Sequence, residues 1–240
     1  MKPQFVRTAR LIGEEAVNAL ETKNVCIFGI GGVGSFAAEA LCRAGVGALT
    51  LIDGDTVAES NLNRQLIALH STIGQPKVDV MKARMADINP DARVTALHMF
   101  YDESTAASLE LSQFDYVVDA IDSVPSKIAL IKRCHALNVP LISCMGTGNK
   151  LDPSKLVITD ISKTNICPLA RVVRRELRRG GIAHHTVLYS TEPPMKPLFE
   201  DENGCSSPAS IAFVPSVAGL MIAGYVVRAL AAPYMPKAEE

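Results

Sequence analysis

VCIFGIGGVG, residues 25–34, is an apolar run that passes directly into a cluster of glycines. The apolar part predicts a buried β-strand. Gly29, Gly31 and Gly34 have the G-x-G-x-x-G spacing of a strand–turn–helix unit that binds a nucleotide, and Gly32 lies in the same turn. The stretch therefore predicts a phosphate site at a helix N-terminus, but it fits NAD, FAD and ATP alike.

An acidic residue follows the second apolar run, at the place where nucleotide-binding units contact a ribose. Residues 49–52 read LTLI and predict a strand, and Asp53 comes directly after it. Its separation from Gly29 is close to the spacing of about 20 residues at which such a carboxylate binds the ribose hydroxyls. Asp55 is a weaker candidate for the same site, because an acid at this position is by default a turn residue.

Basic and amide side chains after this acid favour a triphosphate over a redox cofactor. The segment 61–65 reads NLNRQ, and the guanidinium of Arg64 has the fork geometry that binds phosphate oxygens in pairs. Lys77 follows Pro76 at a predicted helix start, where a second phosphate contact is expected. Asn63 and Gln65 are further candidates for the nucleotide site, with a structural role in the turn as the alternative for both.

Two more carboxylates, Asp119 and Asp122, follow the apolar run at residues 116–118. Ligands of open α/β sheets bind at the carboxyl ends of the strands. We therefore predict that Asp122 is a Mg²⁺ ligand beside the phosphates. Asp119 lies deeper in the strand, and we expect it to bond backbone groups.

Strand and helix patterns alternate along the chain, which predicts an α/β protein with a Rossmann-like, doubly wound and mostly parallel sheet. We expect one domain over residues 1–240, with a leading helix over 10–20, a short helix near 105–111 and a C-terminal extension after residue 146. The segment 193–208 is rich in Pro, Gly, Ser and acids and predicts a mobile loop.

Composition sets bounds on the class of protein. The chain has 240 residues, 48% of them hydrophobic, and a formal net charge of −1. No uninterrupted apolar run reaches the length of a membrane span, and the N-terminus leads into a charged stretch instead of a signal-peptide core. Six cysteines are scattered without any C-x-x-C pair. We therefore predict a cytoplasmic protein without a zinc site.

Together these motifs resemble the ThiF/MoeB/HesA family, the bacterial relatives of ubiquitin-activating enzymes, whose members adenylate carboxylates with ATP. The resemblance covers nearly the whole chain and rests on the order and spacing of the motifs. Within the family, the chain is most similar to the branch that dehydrates threonylcarbamoyladenosine in tRNA. That closer similarity lies in the segments Thr8–Gly13, Asp119–Ser123, Leu151–Pro153 and Val157–Asp160.

The resemblance implies an AMP-forming enzyme that uses ATP and Mg²⁺, acts on tRNA through an acyl-adenylate, and works as a homodimer. An arginine of the leading helix would reach the partner's ATP site. Arg7 matches that motif with Thr8 in place of Gln, Arg10 at the start of the predicted leading helix is the other candidate, and a solvated surface arginine is the alternative. Cys205 resembles the cysteine of the family's crossover loop, which attacks the adenylate in some members; a spare thiol is the alternative.

The segment 171–179 is strongly basic for a chain of this net charge, with five arginines against one glutamate. On a helix, four of the arginines share one face. With the family resemblance, this face predicts contacts with tRNA phosphates, and a solvated helix face is the alternative. The four residues are Arg171, Arg174, Arg175 and Arg178.

Three other functions fit parts of the sequence. An enzyme that adenylates the C-terminus of a ubiquitin-like sulfur carrier, for thiamine or molybdopterin synthesis, would use the same ATP site. The missing C-x-x-C pairs and the arginine segment count against it. A redox protein that uses NAD would leave Arg64 and Lys77 unexplained, and a non-catalytic scaffold would need them to be vestigial. The family resemblance also leaves room for a sulfur-transfer partner protein.

Overall fold

The apolar run at residues 25–34 forms the central strand of the sheet. In the computed structural model, which describes residues 1–199 and 208–236, β1 spans Asn24–Phe28. Its side chains alternate between two hydrophobic cores, with Val25 and Ile27 in one and Cys26 and Phe28 in the other. A strand that is covered on both faces carries a continuous apolar run, as parallel strands of α/β proteins do.

Six further strands complete the sheet in the described part of the chain. They are β2 (Ala48–Ile52), β3 (Arg93–Leu97), β4 (Tyr116–Asp119), β5 (Leu141–Cys144), β6 (Leu156–Asp160) and β7 (Thr186–Ser190). The spatial order is β3-β2-β1-β4-β5-β7-β6, and all neighbouring strands are parallel except β6 and β7. The order reverses between β1 and β4, which is where open α/β sheets form a binding crevice.

Helices cover both faces of this sheet. They are α1 (Val6–Ile12), α2 (Glu14–Glu21), α3 (Gly34–Ala44), α4 (Lys77–Ile88), α5 (Val124–Ala136), α6 (Pro168–Arg179) and α7 (Phe213–Ala231). Helices α2, α3, α4 and α7 contribute to the core on one face, and α5 and α6 contribute to the core on the other. The predicted Rossmann-like, doubly wound and mostly parallel α/β fold is therefore confirmed.

Two predicted helices differ from the structure. The leading helix is divided into α1 and α2 by Gly13, which has φ +93° and ends the first helix. The predicted helix at 105–111 is wrong, since two short 3-10 turns occupy this region. Hydroxyl side chains there bond nearby carbonyls, as in the bonds from Thr105 to Phe100 O and from Ser108 to Thr105 O. Such local bonds compete with an α-helix.

Helix α7 meets the length and hydropathy of a membrane span: the apolar stretch at Phe213–Tyr234 has a mean hydropathy of 1.7. The helix packs closely on α3, because a Cβ atom at Gly219 would lie 2.3 Å from the carbonyl oxygen of Val33. Val214, Ala218 and Ile222 join the core on the same face. These contacts are typical of a core helix in a globular domain.

Candidate nucleotide site

A cavity of about 810 Å³ opens at the carboxyl ends of β1, β2 and β4, where the strand order reverses. Nine of the residues that the sequence predicts for the nucleotide site lie in its wall. Gly34 and Asn63 are not part of that wall, but Gly34 packs on the carbonyl oxygen of Gly29, and Asn63 accepts a hydrogen bond from Arg64. The nine are Gly29, Gly31, Gly32, Asp53, Asp55, Arg64, Gln65, Lys77 and Asp122.

Each glycine of the turn is suited to its position for a different structural reason. Gly29 has φ +84°, and a Cβ atom there would lie 2.6 Å from the carbonyl oxygen of Ala120. A Cβ atom at Gly34 would lie 1.7 Å from the carbonyl oxygen of Gly29, so α3 could not begin where it does. At Gly31 the nearest atom would be the Gln65 amide nitrogen at 3.6 Å, which leaves that backbone accessible from the cavity.

The cavity is also the meeting point of helix N-termini. Val33, Lys77 and Ser123 lie at the starts of α3, α4 and α5, and all three line the cavity. The N-terminus of a helix has unpaired N–H groups and a partial positive charge. Their convergence makes the cavity suitable for a polyanion such as a triphosphate.

Asp53 joins two of the loops that form the cavity. Its carboxylate accepts hydrogen bonds from the backbone N–H of Ile30 at 2.6 Å and from that of Asp55 at 2.8 Å. It thereby fixes the glycine turn against the loop after β2. Asp55 in turn pairs with Lys77, whose ammonium lies 2.7 Å from the Asp55 carboxylate.

Arg64 is held by its neighbours at the edge of the cavity. Its Nη1 atom donates to the carbonyl oxygen of Ser60 at 2.9 Å and to the side-chain oxygen of Asn63 at 2.8 Å. The amide nitrogen of Asn63 donates to the carbonyl oxygen of Ser210 at 3.1 Å. Asn63 therefore connects Arg64 to the segment that precedes α7. Burial lowers the pKa of Arg64 from its usual value.

Gln65 presents an unpartnered polar atom at this site. Its side chain is 8% exposed, and its Oε1 atom has no hydrogen-bond partner among the described residues. A buried amide oxygen without a partner is costly, because it has lost its contact with water. Its place in the cavity wall fits a ligand that donates a hydrogen bond.

The structure also reveals a residue that the sequence interpretation missed. Lys127 is fully buried, and its ammonium lies 2.8 Å from both carboxylate oxygens of Asp119, which is also fully buried. Helical spacing offers a signal, since Lys127 shares its face of α5 with the buried Leu130 and Ile131. A lysine at such a position predicts a buried ion pair.

The position of Asp122 suits a residue that binds Mg²⁺ together with the phosphates of a nucleotide. Its side chain is exposed at the cavity. Within residues 1–199 and 208–236, no three His, Cys, Asp or Glu side chains are placed to hold a metal ion. Mg²⁺ commonly uses one or two protein carboxylates together with substrate phosphates. A single exposed carboxylate beside a phosphate site fits that mode of binding.

Helix α6 carries the predicted basic face, but its arginines are not equivalent. Arg174 donates to the carbonyl oxygen and the hydroxyl of Thr164, at 2.7 and 2.5 Å, so its guanidinium holds a loop. Arg175 pairs with Glu176 at 3.0 Å. Arg171 and Arg178 are exposed and form no ion pair with the described residues. They are the strongest candidates on this face for contact with an external anion.

One predicted site residue lies away from the cavity, and another is outside the described residues. Arg7 is exposed on α1, a helix without a buried residue, and it is not part of the cavity wall. Cys205 lies outside the described residues, as does most of the second half of the predicted loop at 193–208. The other five cysteines are buried. Burial raises the pKa of the thiols of Cys134 and Cys144 to about 12, so neither is a candidate nucleophile.

Known proteins resemble this chain over almost its whole length. The chain is 49% identical over 242 residues to the tRNA threonylcarbamoyladenosine dehydratase of Bacillus subtilis strain 168, covering 96% of this chain and 95% of that protein. Among solved structures it is similar to the E. coli tRNA N6-threonylcarbamoyladenosine dehydratase TcdA in complex with AMP. The TM-score is 0.88 and the identity 36%, over 96% of this chain and 94% of that one.

The ATP complex of the E. coli enzyme matches with a TM-score of 0.82 and 37% identity, over 96% of each chain. A family model agrees with these pairwise comparisons. The model for the ThiF family matches residues 5–240, which is almost the full sequence. The chain therefore belongs to the ThiF family.

Proposed function

We propose that this protein is an ATP-dependent dehydratase that converts threonylcarbamoyladenosine in tRNA to its cyclic form through an acyl-adenylate. The observation that carries the proposal is the single cavity that joins the glycine turn, Arg64, Lys77 and Asp122. The names of the B. subtilis and E. coli relatives support the same substrate. The AMP and ATP complexes of the E. coli enzyme support the nucleotide.

In the first step, the threonyl carboxylate attacks the α-phosphate of ATP, and pyrophosphate leaves. Arg64 and Lys77 stabilise the charge that develops on the phosphates, together with the helix N-termini around the cavity. Asp53 keeps the glycine turn in place for the nucleotide through its bonds to Ile30 and Asp55. In the second step, the carbamoyl group of the same modification attacks the activated carbonyl. AMP leaves with one carboxylate oxygen, so the net change is the loss of water.

Mg²⁺ fits this site through Asp122 and the nucleotide phosphates, and when bound it would neutralise phosphate charge. An acyl-adenylate hydrolyses readily, so water must be kept from the cavity. We assign that role to the crossover loop at 193–208, of which residues 200–207 lie outside the described part of the chain. Cys205 belongs to this loop. Since an internal group can attack the adenylate, a thioester at Cys205 is not required.

We propose that the whole chain acts as one adenylating domain and that two copies form a homodimer. Helix α1 contains no buried residue, and Leu11 on it is 83% exposed. An apolar side chain with this exposure suits a surface that a second copy covers. In that arrangement Arg7, or Arg10 on the same helix, would contribute a cation to the partner's ATP site. We expect the enzyme to be cytoplasmic and to need no zinc.

The tRNA would contact α6 through Arg171 and Arg178, with Arg175 as a weaker contributor because of its bond to Glu176. Such phosphate contacts position a substrate but do not read its sequence. A sulfur-transfer protein remains a further candidate partner.

The experiment is AMP and pyrophosphate release from ATP with tRNA that carries threonylcarbamoyladenosine, with the same tRNA unmodified, and with a ubiquitin-like carrier protein. Mass spectrometry of the digested tRNA accompanies it. We expect release with the modified tRNA only, and a nucleoside lighter by one water. Release with the carrier protein only would replace this function with adenylation of a sulfur carrier. Omission of Mg²⁺ should abolish the release that the modified tRNA elicits.

A further inference from the structure

The buried ion pair between Asp119 and Lys127 lies directly beneath one wall of the nucleotide cavity. Asp119 is the last residue of β4, and Lys127 lies in the first turns of α5. Both side chains have no exposed area, and the ammonium is equidistant from the two carboxylate oxygens at 2.8 Å. The residues between them form the turn that carries Asp122.

The Asp119 carboxylate also organises this turn. One of its oxygens accepts a hydrogen bond from the backbone N–H of Ile121 at 3.1 Å. Ala120 lies between Asp119 and Ile121. Its carbonyl packs so closely on the glycine turn that no side chain fits at Gly29. Asp119 therefore connects the ammonium of Lys127 to the backbone immediately before Asp122.

Stability alone does not account for this pair. Two charges lose their hydration when they are buried, and an apolar pair of similar volume is often as stable or more so. An apolar pair would, however, leave the N–H of Ile121 without its acceptor. The particular effect of the pair is to hold the Asp119 carboxylate in a fixed place under the turn. The pair therefore fixes the orientation of the turn.

We propose that Lys127 is a positioning residue that fixes the Asp119 carboxylate and, through it, the turn that presents Asp122 to the nucleotide and its Mg²⁺. The inference rests on the proposed function, because it takes Asp122 as the carboxylate that faces the bound nucleotide. It adds a residue that does not line the cavity and acts only through Asp119. Loss of the pair should loosen the turn even when the fold is retained.

The test compares a double variant with a core control. Asp119→Leu with Lys127→Met replaces the pair by apolar side chains of similar size, so we expect a melting temperature close to that of the native protein. Leu130→Ala opens a cavity one turn further along α5 and destabilises the protein while both members of the pair are retained. For each protein, calorimetric titration with ATP at graded MgCl₂ concentrations gives the concentration of Mg²⁺ at half-maximal binding.

We expect that concentration to rise about 10- to 100-fold in the double variant, as for other residues that orient a metal ligand. It should stay near the native value in Leu130→Ala. A native response in the double variant, or an equal rise in Leu130→Ala, would overturn the proposal. Hydrogen exchange of the native protein without nucleotide decides the matter independently of folding of the variants. The amide of Ile121 should be protected, and unprotected exchange there would also overturn the proposal.

This exchange measurement separates the inference from the proposed function. A protected Ile121 amide in a protein that fails to turn over the modified tRNA would retain the positioning role and exclude the proposed reaction. An unprotected Ile121 amide in an active dehydratase would retain the proposed reaction and exclude the positioning role.

Discussion

The ammonium of Lys77 lies 2.7 Å from the carboxylate of Asp55, at the point where α4 begins and the nucleotide cavity opens. The side chain of Lys77 is only 7% exposed, whereas that of Asp55 is 53% exposed. A nearly buried cation whose partner faces the solvent can bind a phosphate without losing that partner. The pair therefore suits a site that alternately binds and releases a nucleotide.

We expect Lys77→Met to lower kcat/KM for ATP about 100-fold, or about 2.7 kcal/mol, because the variant loses charge stabilisation in the transition state. Lys82→Met is the matched control, since Lys82 is exposed on the same helix and lies outside the cavity wall. Pyrophosphate exchange with modified tRNA measures both. An equal loss in the two variants would contradict a phosphate role for Lys77.

Two glycines of the turn should respond differently to the same substitution. Gly34→Ala places a Cβ atom 1.7 Å from the carbonyl oxygen of Gly29, so we expect it to destabilise the fold by more than about 3 kcal/mol. Gly31→Ala places a Cβ atom 3.6 Å from the nearest side-chain atom. It should leave the unfolding midpoint almost unchanged and weaken ATP binding by filling the space for a phosphate. Urea unfolding and ATP titration together check the pair, and stable Gly34→Ala protein would refute the packing argument.

The sequence predicted the sheet, and nine of the residues that it assigned to a nucleotide site line one cavity, because both predictions depend on local patterns. An apolar run, a glycine spacing and an acid at a strand end each reflect the geometry of one short segment. The predicted helix at 105–111 is wrong because hydroxyl side chains bond the backbone there. Helical periodicity does not detect that competition.

Contacts between distant segments were harder to predict. Asn63 reaches Ser210 across 147 positions of the chain, and no local pattern indicates that bond. Asp119 was expected to bond backbone groups, which it does at Ile121, but its main partner is Lys127. Arg174 shares a helix face with the other arginines, yet it serves the loop at Thr164. A shared face does not reveal which side chains the tertiary structure uses.

His185 should make the fold sensitive to mild acid. Its ring bonds Ser143 at 2.8 Å, and burial, with a smaller contribution from His135, lowers its pKa to about 3. In the unfolded chain the pKa is about 6.5, so the unfolded state binds more protons as the pH falls below that value. Stability associated with His185 is thus complete above about pH 7 and declines from there toward pH 3. From pH 7 to pH 5 the expected loss is about 2 kcal/mol.

Urea unfolding of the native protein and of His185→Asn at pH 7 and pH 5 measures this loss. Other groups contribute equally to both proteins, so the difference between the two pH dependences isolates His185. The variant should lose less stability than the native protein over this interval. The same loss in both would mean that His185 is not buried in its neutral form.

The basic face of α6 should affect the binding of tRNA and not the binding of ATP. Arg171→Gln with Arg178→Gln removes two exposed charges that form no ion pair with the described residues, so the fold should be unaffected. We expect KM for the modified tRNA to rise and the dependence of log KM on log salt to become shallower by about one for each lost phosphate contact. ATP affinity, measured without tRNA, should match that of the native protein.

Arg43→Gln with Arg93→Gln is the control of equal charge, because both residues are exposed on elements away from α6. If tRNA is attracted only by overall charge, the two double variants should raise KM equally. If α6 forms the contact, the rise and the change in salt dependence should appear only when Arg171 and Arg178 are replaced. Arg174→Gln should instead lower stability, because its guanidinium secures the loop at Thr164. This contrast separates an interface arginine from a structural one on the same helix.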